Sequence, residues 1–313
     1  PLSRAIVIEP TQVAKEITGL APSSRRAFLR KVVVGIAATV LAVVAVRQGL
    51  NLLSGQQGVG NSTPIPINSE STQIQSGELP PVFRDARIRD LVASEITDDR
   101  VFYRVDIAPI PPSLNFDAWS LKVGGKVNKP LTLNRDSLMK MPTQEQYTTL
   151  ECVSNTINPP AGLIGNAKWT GIGLATLLNE AVASPDAKYV VFRCADGYSV
   201  GIPLDGAMQP GAMLAYMMDD QPLRQGHGFP LRAIVPGIYG MMNAKWITEI
   251  EVVDYVYLGY WQERGWSNDA KIKTTSIIYY PADAAKVDGS TPIAGIAFAG
   301  DRGISKVEVS VDN

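Results

Sequence analysis

The sequence predicts an α+β fold with mixed sheets. Three observations carry that reading: short alternating or β-branched runs recur at uneven spacing, helical spacing is brief, and no regular βαβ alternation develops. AWSLKVGG (118–125) alternates like a strand and ends in a Gly-Gly turn. LATLLNEAV (174–182) has helical spacing, whereas KYVVFRC (188–194) is apolar and β-branched. LRAIVPG (231–237) reads as a buried strand stopped by Pro236-Gly237, and KWITEIEVVDYVYLGYW (245–261) as a further strand region. IAGIAFAGDRGISKVEVSVD predicts two strands joined by Gly-Asp-Arg-Gly, the way a β-sandwich opens. Residues 284–313 are too few to complete a sandwich, so an incomplete or partner-dependent piece is expected there.

Before the folded part, residues 54–80 are rich in Gly, Ser, Pro, Asn and Gln and have no apolar period, the composition of a solvated linker. Residues 32–46 are uncharged and apolar, shorter than the ~20 residues of a bilayer span. The preceding Ser24-Arg25-Arg26-Ala27-Phe28-Leu29-Arg30 resembles a twin-arginine export signal, and a membrane helix with a basic flank is the other reading. No clear small-residue cleavage site follows, so residues 23–53 are expected to remain as a tether, after an N-terminal extension (1–22). The expected location is the cell membrane, with the catalytic domain (81–283) on the periplasmic or extracellular side. Pro1 and the closing VEVSVDN both read as cuts through a longer protein.

Composition narrows the chemistry. The 313 residues are 45% hydrophobic and 19% charged with a net charge of −1, so no global field draws the chain to nucleic acid. A single histidine, His227, excludes a histidine-rich zinc site and a bis-histidine haem within the chain. The two cysteines, Cys152 and Cys194, form no CxxC motif, and GxGxxG and GxxxxGK[ST] are absent where a strand meets a helix.

Two stretches carry chemistry. TLECVSNTINPPAGLIGNAKWTG (149–171) sets Cys152 at the end of an apolar run, ahead of a polar turn-rich loop. A lone thiolate is a soft metal donor that needs further ligands, which an organic cofactor can supply. RQGHGFPLRAIVPGIYGMMNAKWITEIEV (224–252) gathers His227, Arg232 and Lys245 around glycine-bearing loops, a suitable cage for a phosphate and a polar heterocycle. Other readings stand beside these: Cys152 as an inert buried thiol or a disulfide partner of Cys194, His227 as a loop histidine, Arg232 and Lys245 as surface ion pairs, and Cys152 with His227 as a hydrolase pair. Trp246, Trp261 and Trp266 are expected as core or wedge residues, Met213, Met217 and Met218 as core filler, and Asp219-Asp220 as a solvated turn.

Together, TL-x-C-x-x-N…G…W-T-G and H-G-x-P-x-R-x-x-x-P-G-x-x-G-x-x-x-x-K-W resemble the molybdopterin-binding domain of the sulfite oxidase family, over residues 95–310. The resemblance implies a molybdenum–molybdopterin cofactor with Cys152 as metal ligand. It implies cofactor contacts from His227, Arg232, Asn243, Ala244 and Lys245, from Tyr103 and Arg104 in DDRVFYRVDI, and from Cys194. It also implies an immunoglobulin-like C-terminal domain (284–313) through which a homodimer forms when complete, and two-electron oxygen-atom transfer at sulfur or nitrogen. Tyr239, beside the cofactor loop, is a candidate to face the reacting centre. No basic side chain occurs in VSNTINPPAG after Cys152, and Glu151 precedes it, which suits a neutral sulfoxide or N-oxide better than an oxyanion such as sulfite. With no haem or iron–sulfur motif, a membrane cytochrome or another separate redox partner is expected. A membrane-anchored binding protein that kept the fold and lost catalysis is the contrasting expectation.

Overall fold

The computed structural model describes residues 5–8, 96–155, 162–287 and 291–310, so the linker and the signal or anchor expected at 23–80 lie outside the described residues. In chain order the elements are β1 (Ala5–Ile8), β2 (Ser120–Gly125), β3 (Leu131–Asn134), α1 (Arg135–Met139), β4 (Thr143–Glu151), β5 (Ile164–Gly173), α2 (Leu174–Ala181), β6 (Tyr189–Cys194) and β7 (Ser199–Pro203). They continue with α3 (Leu204–Ala207), β8 (Met213–Met218), β9 (Gln221–Pro222), β10 (Arg232–Ile234), β11 (Ile247–Val253), β12 (Thr275–Tyr280) and β13 (Ile293–Phe298). Sheets dominate and helices are few and short, as the α+β reading expects. Among the described residues no helix is long and apolar enough to cross a membrane.

The strands form three sheets. One runs β3-β2-β11-β6-β7 and is mixed, because β11 is parallel to β2 and antiparallel to β6. A second, antiparallel, runs β10-β8-β5-β4 with β9 added to β8, and a third runs β1-β13-β12. Alternation explains the core. In β2, Leu121 and Val123 point inward and meet Val190 and Phe192 of β6 and Ile250 and Val252 of β11. Leu174, Leu177, Leu178 and Ala181 fall on one face of α2, and all four are buried in that core.

Within the second sheet, β8 is buried on both faces, which is why MLAYMM reads as an unbroken apolar run. Leu214 and Tyr216 enter the main core, while Met213, Ala215 and Met218 enter another cluster with Phe102, Leu150, Ala167 and Trp169. Gly171 lets β5 approach β8: a side chain there would collide with the Leu214 carbonyl. Met213 and Met218 are thus core filler, and Met217 is half-buried.

Three expectations need correction. The strand predicted over 245–261 ends at Val253, where β11 runs out of partners at Gly125 and Tyr189; residues 254–261 leave the sheet, and the Tyr260 amide donates to Ser199 beside β7. Of the two C-terminal strands, only Ile293–Phe298 forms. It pairs with β12 and β1, whereas residues 303–310 do not form a strand. Asp219-Asp220 is a turn, but Asp219 is not simply solvated: its carboxylate accepts from the Lys168 amide at 2.9 Å.

Candidate functional site

The site is built from three loops and a strand end. β4 stops at Glu151 because the Cys152 amide turns to the Leu163 carbonyl at 2.9 Å. Asn155, fully buried, fastens the same turn: its Oδ1 accepts from the Leu163 amide at 2.9 Å and its Nδ2 donates to Glu151 Oε1 at 3.0 Å. Cys152 is thereby held at the rim of the apolar cluster, with its Sγ 3.1 Å from the Ser154 hydroxyl. Burial raises the pKa of the Glu151 carboxyl, and the Asn155 amide partly offsets this. Both cysteines are free thiols, which removes the disulfide reading.

Opposite Cys152 lies the segment 102–106. Phe102 packs on Trp169 and on the His227 ring, and the Tyr103 hydroxyl reaches Gly240 beside the Glu151 carbonyl. Burial pushes the Tyr103 phenol far above its usual pKa; the nearby Cys152 adds to that, and Arg232 opposes it. Arg104 lays its guanidinium against Gly226, where a Cβ would lie 2.5 Å from its Cζ. A side chain there would have to displace the guanidinium.

The cations follow. His227 sits in a 3-10 turn, 4% exposed, and its Nε2 donates to the Asp99 carbonyl at 2.6 Å. Burial lowers its pKa, and the charges of Arg232, Lys245 and Arg104 lower it further, so the imidazole is neutral. Gly228 has φ +109°, and a Cβ on it would crowd the stems of Arg232 and Lys245. Arg232, the first residue of β10, is buried over the Trp169 ring at 4.8 Å and donates through Nη1 to the His227 carbonyl at 3.0 Å. Its Nε has no acceptor among the described residues. Burial lowers its pKa to about 10.

Lys245 forms an ion pair with Asp106, donates to the Gly226 carbonyl at 3.3 Å and lies over the Trp246 ring at 4.6 Å. Burial brings its pKa to about 8, helped by Arg232 and Arg104 and opposed by Asp106. The folded chain therefore gives up this proton at lower pH than the unfolded chain does. Between about pH 8 and the ordinary lysine range the unfolded state binds more protons, and this group makes stability rise with pH. The remaining charged or titratable neighbours are His227, Asp196 and Cys194. The expected result is a wild-type denaturation midpoint that climbs relative to Lys245→Met as pH passes 8, read by chemical unfolding at several pH values.

The other predicted residues divide. Asn243 spends both ends of its amide on backbone: Oδ1 accepts from the Val235 amide at 2.7 Å, and Nδ2 donates to the Tyr239 carbonyl at 3.2 Å. The Ala244 carbonyl accepts from Ala233 at 2.8 Å, so the two residues hold the loop in place. Cys194 lies behind Lys245; burial pushes its thiol up, Asp196 adds to this, and the Lys245 amide opposes it. The Tyr239 hydroxyl accepts from the Lys273 amide at 3.2 Å, and its neighbour Gly240 is the residue that meets Tyr103. Trp246 is core, whereas Trp261 and Trp266 stack with centroids 4.7 Å apart at the surface.

Sequence reasoning missed Asp106, Trp169 and Ser154 as members of the site. Asp106 and Trp169 lie inside stretches already singled out, but their partners are distant in the chain and nothing local marks them.

The residues fit a cofactor that carries both a phosphate and a soft metal. Cations crowd around an orphaned buried guanidinium N–H, and a free thiol stands across from them at the Tyr103 hydroxyl. Among the described residues no three His, Cys, Asp or Glu side chains cluster to hold a metal by themselves. A fold of mixed sheets with this pocket defines a protein that binds an anionic metal cofactor. Comparison with known proteins makes the class specific. Residues 107–261 match the oxidoreductase molybdopterin binding domain. The chain is similar to the mitochondrial sulfite oxidase of Drosophila melanogaster, 33% identical over 261 residues that cover 69% of this chain and 45% of that protein. It is also similar to sulfite oxidase of Arabidopsis thaliana, 29% identical over 271 residues covering 71% of this chain and 69% of that protein. The fold resembles the sulfane dehydrogenase SoxCD from Paracoccus pantotrophus, with TM-score 0.50 and 20% identity over 60% of this chain and 64% of that one. The chain spans about half the length of the mitochondrial relatives it matches. Residues 107–261 thus carry an oxidoreductase molybdopterin binding domain similar to that of sulfite oxidases, and its cofactor is molybdenum–molybdopterin.

Proposed function

We propose that this chain is the catalytic part of a molybdenum–molybdopterin oxidoreductase that transfers an oxygen atom, with two electrons, at a sulfur centre in the manner of sulfite oxidases. The observation that carries the reading is the free Cys152 thiol across from a cradle of buried Arg232, largely buried Lys245 and the more exposed Arg104. When bound, the cofactor supplies the redox change and the oxygen-atom chemistry. The chain's own residues bind and orient it. Cys152 would hold the metal through its soft sulfur, and the Ser154 hydroxyl lies within hydrogen-bond distance of that sulfur. Arg232 offers a free N–H to a phosphate oxygen, Lys245 and Arg104 add charge, and Asn243 and Ala244 keep the loop in register. Phe102 and Trp169 exclude water from beneath the guanidinium.

One observation favours the reverse direction on a sulfoxide or N-oxide. The described residues flanking Cys152 are Glu151, Val153, Ser154 and Asn155, none of them basic, and Glu151 is buried. We further propose that the twin-arginine-like run and the apolar run at 32–46 export and tether the domain outside the cytoplasm. A membrane cytochrome would then exchange electrons with it at high effective concentration. We also propose that residues 284–313 belong to an incomplete immunoglobulin-like domain, through which two copies pair when it is complete.

The test is metal analysis of chain purified from a host that makes molybdopterin, followed by turnover of sulfite, sulfoxides and N-oxides in both directions. Stoichiometric molybdenum and turnover of one class are expected. A chain that folds in such a host without molybdenum sinks the reading in favour of a non-catalytic binding protein.

A further inference from the structure

Asp106 pairs with two members of the cationic cluster, Lys245 and Arg104, and the mechanism above gives it no task. Its side chain is only 9% exposed, its Oδ1 is paired with Lys245, and its Oδ2 lies 3.4 Å from the Arg104 guanidinium. Arg232 is close enough to feel the same charge. A carboxylate and a phosphate accept from the same N–H donors. In a buried site two such anions repel each other strongly while they share cations.

We infer that Asp106 competes with the cofactor's phosphate for Lys245 and Arg104, and so sets how tightly this cradle takes an anion. The inference rests on the reading of the cluster as a phosphate cradle and names its built-in competitor. The placement of Asp106 supports such a role. It belongs to the described run 96–119, which contains no helix or strand and is joined to β5 by Thr97 to Asn166 and to the loop before β10 by Asp99 to Arg224. Its carboxylate can turn away from Lys245 without breaking a sheet ladder. Lys245 keeps the Gly226 carbonyl and the Trp246 ring when it does.

A merely structural ion pair behaves differently. Breaking one weakens the fold and leaves anion affinity where it was or lower. Removing a competitor raises affinity. The experiment titrates inorganic phosphate into the 313-residue chain, made in a host that lacks molybdopterin, and reads binding by calorimetry. Asp106→Asn is expected to bind phosphate about tenfold more tightly than wild type, the scale of one charge-assisted hydrogen bond released to the ligand. Asp106→Glu, which keeps the charge, should bind as wild type does. Adding Lys245→Met to Asp106→Asn should abolish the gain.

Equal or weaker phosphate binding by folded Asp106→Asn overturns the inference, and so does a gain that survives the loss of Lys245. If Asp106→Asn is too unstable for calorimetry, its melting temperature should climb with phosphate more steeply than that of wild type. A slope equal to or below that of wild type counts against the inference. These outcomes are separate from the metal analysis: phosphate can compete with Asp106 in a chain that never takes up molybdenum, and a molybdenum-loaded enzyme can show no competition at all.

Discussion

Cys152→Ser is expected to retain the pterin and lose turnover, by more than the ~10–100-fold that follows removal of an outer partner of a metal ligand. The reason is chemical. A serine hydroxyl is harder and far less acidic than a thiol, so it replaces neither the soft donor nor the charge. The local structure should survive, because the turn is fixed by groups other than the sulfur: the Cys152 amide on Leu163 and the Asn155 side chain on both Leu163 and Glu151. Pterin fluorescence after denaturation, molybdenum content and turnover, measured on one preparation, separate ligand loss from misfolding. Retained turnover would remove Cys152 from the reaction.

Arg232→Met is expected to split stability from binding. Arg232 is buried, forms no ion pair among the described residues, and carries an N–H without an acceptor there. An isolated buried charge costs folding free energy, and well-packed apolar replacements of buried charges are often neutral or stabilising by ~1–4 kcal/mol. The lost bond to the His227 carbonyl and the lost stacking on Trp169 work the other way, each on the scale of ~1–2 kcal/mol. The chain without cofactor should therefore unfold within about 1 kcal/mol of wild type, while cofactor retention falls by about 100-fold, the equivalent of two charge-assisted hydrogen bonds. Arg232→Lys should restore little, since an ammonium cannot both stack flat on an indole and present a planar fork. Urea unfolding and dialysis of loaded protein measure the two halves. A variant that loses stability and keeps its cofactor would show that Arg232 serves the fold alone.

These cases show what the sequence could and could not disclose. Local pattern was enough for β6, whose β-branched run buries Val190, Val191 and Phe192, and for α2, whose apolar residues repeat at helical spacing. It failed at residues 254–261, because the run of aromatic and β-branched residues continues there after the partner strands have ended. Strand formation needs a neighbour, and a neighbour is not a local property. The pocket divides in the same way. Cys152, His227, Arg232 and Lys245 were marked by residue type within glycine-bearing motifs. Asp106 meets Lys245 across 139 positions, and Trp169 lies under Arg232 from another strand, so neither could be paired by inspection. Asn243 shows the opposite gap: it is in the motif, yet its amide is committed to the backbone of its own loop.

The stretch from Arg232 to Ile247 leaves the antiparallel sheet at β10 and enters the mixed sheet at β11, and the two ends are stitched by Ala233 to Ala244 and Ile247 to Leu231. A molecule gripped by that stretch acts as mortar between two walls. Its departure and the parting of the walls become one cooperative event, so a loaded chain should melt in a single step and release its guest only as it does so.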